Sequence, residues 1–269
     1  MSAPEQLEVE GLEKVFFPGT PNEVVALNGI DLSVPAGQFV TMIGSNGAGK
    51  STLLNAVAGT FALTAGKVLL GGRDITKQRD YVRSRSIGRV FQDPRAGTAP
   101  SMSIEENLAL SLLRSKRSGL GRGVTRARRE VMREQLSRLG MGLEHRLGAN
   151  VSKLSGGQRQ AMSLLMATVA EPSLLLLDEH TAALDPKVAA TIMDLTAAIV
   201  AERGLTTLMV THNMELALMY GDRLIMMHAG RIVLDVAAEQ KASLTVAELI
   251  EQFHAVAGAA FAVDRMLLE

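Results

Sequence analysis

The chain has 269 residues, with 28 basic against 28 acidic side chains, 47% hydrophobic and 3% aromatic residues, and no cysteine. That length suffices for one large domain or for a core with a smaller subdomain. Zero formal net charge gives no reason to expect nucleic acid or an anionic membrane surface as partner, and the lack of cysteine excludes disulfides and thiolate metal sites.

The opening segment MSAPEQLEVEGLEKVF is acidic and lacks the basic-then-apolar layout of a secretory signal. The first ninety residues then read as short β runs, LEVEGLEKVF, ALNGIDLSV, QFVTMIG, GKVLLGG and SIGRVFQ, with Pro and Gly clustered between them. One helix, GKSTLLNAVAG, interrupts them and ends at Gly59. From Asp93 to about Gly148 the character turns helical: SIEENLALSLL opens with the capping pair Ser103 and Glu106, and TRARREVMREQLSRLG has helical apolar spacing. The arginine-dense stretch from Arg114 to Arg133 reads as a solvated helix face plus a Gly/Ser loop.

Strand and helix then alternate again. LLLLD is followed by a helix from about Lys187 to Arg203, TTLMVTH, a short helix and RLIMMHAGRIVLD. After Asp235 the only helix expected is TVAELIEQFHAVAG, with Thr245 and Glu248 as its capping pair. Continuous apolar strands alternating with helices point to an α/β core around a largely parallel sheet, with the middle third inserted as a helical subdomain. No window reaches the roughly 18 uncharged apolar residues of a membrane helix, so a membrane role is expected through a partner. The low aromatic content and absent tryptophan argue against a base-stacking surface, and a reducing compartment fits the absence of cysteine.

Three motifs carry chemistry. GSNGAGKS, residues 44 to 51, matches the phosphate-loop pattern between a strand and a helix. Gly44, Gly47 and Gly49, with Ser45, Asn46 and Ala48 between them, let backbone N–H groups face phosphate oxygens at a helix start. Lys50 is expected to reach the β- and γ-phosphates of the nucleotide, and Ser51, followed by Thr52, to ligate Mg²⁺. SLLLLDE supplies a buried strand ending in Asp178, the candidate metal carboxylate, with Glu179 as the candidate that polarises water. A kinase or small GTPase shares both features; LSGGQRQ, residues 154 to 160, separates them off, because it forms a second anion-binding helix start.

Together these motifs resemble the ATP-binding cassette (ABC) ATPases, and the resemblance covers about Gln6 to Asp235. It implies a P-loop NTPase core of the ABC ATPase type, with an N-terminal antiparallel β subdomain and an inserted helical subdomain. The expected division is a core over about 1–92 and 166–240, a helical subdomain over about 93–165 and a C-terminal extension over about 241–269. By the same resemblance, Gln92 in VFQDP is the Q-loop glutamine that touches Mg²⁺ and the water. Asp185 in AALD is the D-loop aspartate, His212 in VTHN contacts the γ-phosphate, and Phe16 is the adenine-stacking aromatic, with Phe17 the alternative.

The resemblance further implies an ATP-sandwich dimer of two copies, in which Ser155, Gly156, Gly157 and Gln158 of one copy complete the site of the other. It implies a peripheral position on the cytoplasmic face of the membrane, integral permease subunits as partners and, indirectly, a substrate-binding protein. No nucleic acid is expected. An importer, with amino acids as candidate cargo, is the leading expectation; an exporter subunit or a soluble ATPase acting on nucleic acid or the ribosome is the alternative. His180 sits where most members carry proline and is read as a local turn substitution, and His145, His228 and His254 as structural.

Overall fold

The computed structural model describes residues 5–114 and 123–257. Residues 115–122 of the arginine-dense stretch, and those after 257 in the C-terminal extension, lie outside the described residues. The chain forms two compact units, the first of residues 1–83 and 204–269 and the second of residues 84–203.

In the first unit, β1 (Glu5–Phe16), β2 (Val24–Pro35), β4 (Ala65–Leu70) and β5 (Arg73–Asp74) form an antiparallel sheet in the order β2-β1-β4-β5. β2 alternates buried and exposed residues along most of its length, the pattern of a strand with one face toward the core. β3 (Phe39–Gly44) differs: all six residues are buried, and it pairs in parallel with β8 (Thr206–Val210) and β9 (Arg223–His228). β10 (Arg231–Val236) closes that sheet as an antiparallel hairpin with β9.

α1 (Lys50–Ala58) leaves β3 through the glycine loop and stops at Gly59, in the left-handed conformation. α2 (Asp80–Arg83) ends this part of the unit. Its Arg83, 3% exposed, donates to the carbonyls of Ala56 and Val57 in the last turn of α1 and to those of Thr76 and Gln78. α7 (Met214–Met219) and α9 (Val246–Ala257) pack Met214, Ala217, Leu249 and Phe253 against Ile43, Leu224 and Met226 of the sheet.

The second unit pairs β6 (Ile87–Val90) and β7 (Leu174–Asp178) in parallel. Its helices are α3 (Ile104–Leu113), α4 (Arg126–Ser137), α5 (Gly156–Thr168) and α6 (Pro186–Arg203). They close over a core of Ile104, Leu108, Met132, Leu136, Met162 and Leu165. The Ser103–Glu106 capping box forms at α3, and Arg129 of α4 clamps Glu105 with two hydrogen bonds. Within the described part of the arginine stretch, Arg133 is held by Glu130 as well, while Arg114 and Arg128 donate to the backbone carbonyls of Ala167 and Gly123.

Past β10 the structure departs from expectation. A second helix, α8 (Ala238–Ser243), precedes α9. It has no side-chain cap and is anchored instead by its buried Lys241, which donates to the carbonyls of Tyr220 and Gly221 and to Thr41 Oγ1. The Thr245–Glu248 capping box at α9 forms as expected. Among the described residues no helix is long and apolar enough to cross a membrane.

Candidate active site

In the first unit the site begins where buried β3 ends. Gly44 adopts φ +150°, and a Cβ there would lie 2.2 Å from the carbonyl oxygen of Met227, its register partner on β9. Only glycine lets the chain leave the sheet at this point. The loop then delivers α1 with Gly49 as its N-cap, no side-chain cap and no acidic residue in the first turn. A helix start of this kind presents backbone N–H groups and positive dipole charge to an anion. Lys50, 6% exposed, folds back over the loop and donates to the carbonyls of Gly44 (2.6 Å) and Ser45 (3.0 Å). Asn46, Gly47 and Ser51 are exposed, Ala48 is buried, and Thr52 is half-buried.

His212 lies in the same unit, exposed in the bend between β8 and α7. Both its neighbours are fixed. Thr211 N–H donates to Met42 of β3 (3.0 Å), and Asn213 caps α7 through Leu216 N–H (2.9 Å). Phe16 is half-buried, meets Phe61 edge-on at 5.5 Å and lies under the Lys14 ammonium at 4.8 Å. Phe17 is 65% exposed with positive φ.

In the second unit, Leu174 to Leu177 are completely buried, so β7 is held on both faces and its tip is fixed. Burying each leucine contributes about 1.5–3 kcal/mol, enough to make this strand a rigid mount. Asp178 and Glu179 follow, both half-buried. Glu179 has φ +44°, a left-handed conformation that costs a residue with a Cβ of order 1–3 kcal/mol.

Two bridges join the tips of β6 and β7. Gln92 Nε2 donates to Glu179 Oε2 at 3.1 Å, and Arg89 pairs with Asp178 at 3.3 Å while its guanidinium stacks on Phe91 at 4.5 Å. Burial pushes the Arg89 pKa down against the pull of Asp178, and its buried Nε has no hydrogen-bond partner. Arg89 therefore carries a desolvation cost, which its pairing with Asp178 offsets only in part. Gln160 Nε2 braces the same region through the Phe91 carbonyl (3.3 Å).

Ser155 starts α5 with a reciprocal capping box to Gln158, both bonds at 3.2 Å. Ser155 and Gly156 are exposed, whereas Gly157 is buried so tightly that a Cβ would meet Val188 Cγ1 of α6 at 2.5 Å. Asp185 is exposed and caps the start of α6 through Val188 N–H (3.1 Å). The second unit thus gathers Gln92, Asp178 and Glu179 into one cluster, and sets Ser155 to Gln158 and Asp185 at helix starts packed on each other.

His180 lies in the turn after β7, as the sequence suggests, and is anchored there. It is 2% exposed, and its Nε2 meets Thr196 Oγ1 of α6 at 3.1 Å. Burial lowers its pKa to about 4, so the ring is neutral at physiological pH. No motif in the sequence marks Arg89 or Gln160 as part of this cluster. A charge inside the apolar run SIGRVFQ was the one available signal for Arg89.

The donor set suits magnesium. In the second unit Gln92 and Asp178 offer an amide and a carboxylate oxygen, hard donors of the kind this ion takes. Mg²⁺ is usually held in this way, by one or two carboxylates with substrate phosphates and water completing its shell.

Comparison with known proteins adds four findings. Residues 27–182 match the family model described as ABC transporter. The chain is 45% identical over 249 residues to the tyrosine transport ATP-binding protein of Clostridioides difficile, covering 92% of this chain and 98% of that one. It is 38% identical to the lipoprotein-releasing system ATP-binding protein LolD of Ruegeria pomeroyi, over 86% of this chain and 98% of that one. Among solved structures it resembles the dimeric ATP-binding cassette MJ0796 bound to ADP and Pi, with TM-score 0.75 and 28% identity over 86% of this chain and 98% of that one.

Proposed function

The chain belongs to the ABC transporter family of ATP-binding subunits, and from that premise we propose that it hydrolyses ATP to drive an integral membrane importer of an amino acid. The observation that carries the chemistry is the Glu179 carboxylate, held by Gln92 at the tip of a strand completely buried from Leu174 to Leu177. A carboxylate fixed in this way orients a water for in-line attack on the γ-phosphate.

The loop from Gly44 to Thr52 grips the phosphates, and Lys50 exchanges its loop carbonyls for phosphate oxygens. Phe16 stacks on adenine, and His212 contacts the γ-phosphate. Ser51, Gln92 and Asp178 would hold Mg²⁺, which when bound spreads the charge that develops on the transferred phosphoryl group. Ser155 to Gln158 and Asp185 serve a second copy, each copy completing the other's nucleotide site. The helical part of the second unit, about residues 93–165, receives the permease on the cytoplasmic face of the membrane, and a substrate-binding protein supplies the cargo.

Amino acid uptake draws support from the tyrosine transport relative, which this chain matches over 98% of that protein's length. The second reading, an ATPase that drives release, draws on the 38% identity to LolD. Reconstitution in phospholipid vesicles with the co-purified membrane subunit tests the first. ATPase activity should rise with that subunit, and rise further with a tyrosine-loaded binding protein. Stimulation by DNA or ribosomes in place of the membrane subunit would overturn it.

A further inference from the structure

Glu179 sits in a backbone conformation that its own side chain disfavours. Such a residue stays in place only where its neighbours over-determine it. On the N-terminal side the restraint is plain, because β7 is completely buried up to Leu177. On the C-terminal side, Thr181 to Asp185 form a turn in which Ala182, Ala183 and Asp185 are exposed. Thr181 is buried, Leu184 packs on the core and Asp185 caps α6, and the side-chain anchor next to Glu179 itself is His180.

Thr196 Oγ1 donates its only proton to the Ile192 carbonyl at 2.7 Å, one turn back in α6. Toward His180 it can therefore only accept, which fixes the proton on His180 Nε2. The side chain is thus bonded in one orientation to the second half of an 18-residue helix. Proline at this position would fix φ but could not make that bond.

We infer that His180 is a positioning residue for ATP hydrolysis: through Thr196 it clamps the turn that holds Glu179 in its left-handed conformation, and so sets where the carboxylate stands. This deepens the proposed function and rests on Glu179 as the residue that orients water. The alternative, a histidine that only fills space, differs in what it would leave untouched. Filling space affects stability; clamping affects turnover in molecules that remain folded.

The test uses the full chain with His180→Ala, Thr196→Val and His180→Gln, each also combined with Glu179→Gln. Turnover, KM for ATP, nucleotide affinity by calorimetry and Tm are measured well below the unfolding transition. Thr196→Val keeps the side-chain shape and removes the hydroxyl that accepts from His180, together with its bond to the Ile192 carbonyl one turn back, so it serves if His180→Ala does not fold. Misplacing a catalytic group by about 1 Å can lower rates by about 100-fold, so kcat should fall by about 10- to 100-fold in His180→Ala and Thr196→Val. KM and nucleotide affinity should stay within about twofold of wild type, since binding rests on other residues. His180→Gln, which keeps an N–H donor, should recover most of kcat.

In the Glu179→Gln background, none of the three changes should lower the residual rate further. Wild-type kcat in folded His180→Ala or Thr196→Val, or losses that multiply with Glu179→Gln, would overturn the inference while leaving the role of Glu179 intact. Near-wild-type turnover by Glu179→Gln alone would instead remove the role of Glu179 itself.

Discussion

Arg83→Met should lower stability through the end of α1 remote from the phosphates. The Arg83 guanidinium donates to four carbonyls, those of Ala56 (3.0 Å), Val57 (2.8 Å), Thr76 (2.7 Å) and Gln78 (3.0 Å). Ala56 keeps a second donor, Gly59 N–H, so the larger loss falls on Val57, Thr76 and Gln78. At about 1–1.5 kcal/mol for each lost hydrogen bond the three sum to about 3–4.5 kcal/mol. Burial lowers the Arg83 pKa, so desolvation of the guanidinium returns part of that sum. A net loss of about 3 kcal/mol is expected, or about 6–12 °C in Tm at 2–4 °C per kcal/mol for a chain of this size. Thermal and urea unfolding followed by circular dichroism would measure it. Arg83→Lys should recover less than half, because an ammonium lacks the planar fork that reaches several carbonyls at once. A Tm loss below about 2 °C in Arg83→Met would mean that these carbonyls do not depend on Arg83.

Gly44→Ala places a Cβ 2.2 Å from the Met227 carbonyl at φ +150°. Calorimetry should therefore show ATP affinity reduced by about 10-fold or more, since the loop can form only by displacing β9; unchanged affinity would contradict the account of the loop. Lys241 makes a pH prediction. Burial depresses its pKa from 10.5 to about 8 in the folded chain, so between those values the unfolded chain holds the proton more firmly. Stability linked to Lys241 is then lost as pH falls through about 8 and restored as pH rises through 10.5. The stability of wild type minus that of Lys241→Met, from urea unfolding, should shift toward wild type between pH 8 and 10.5, and a flat difference would contradict it.

What was legible in the sequence was local. The Ser103–Glu106 and Thr245–Glu248 boxes and the end of α1 at Gly59 depend on neighbours within three or four residues, and each forms as read. The order of buried strand, glycine loop and helix around Gly44 to Ser51 is equally short-range. What the sequence hid depends on partners far along the chain. α8 has no side-chain cap, and its anchor Lys241 reaches carbonyls 20 and 21 residues away. Arg89 finds Asp178 across 89 positions, and His180 finds Thr196 across 16. The left-handed conformation of Glu179 carried no glycine or asparagine to announce it, because tertiary packing imposes it rather than local preference.

Turnover by Glu179→Gln in the presence of ATP and Mg²⁺ separates a Glu179 that orients water from one that only braces the turn. The substitution keeps the size of the side chain and one oxygen that can accept from Gln92, and replaces the negative carboxylate oxygen proposed to orient the water with a neutral NH2 donor. Loss of a positioned general base typically costs about 10²- to 10⁴-fold, so hydrolysis should fall by at least about 100-fold. ATP should still bind, and size-exclusion chromatography should show an ATP-loaded dimer. Hydrolysis within about threefold of wild type would contradict the account.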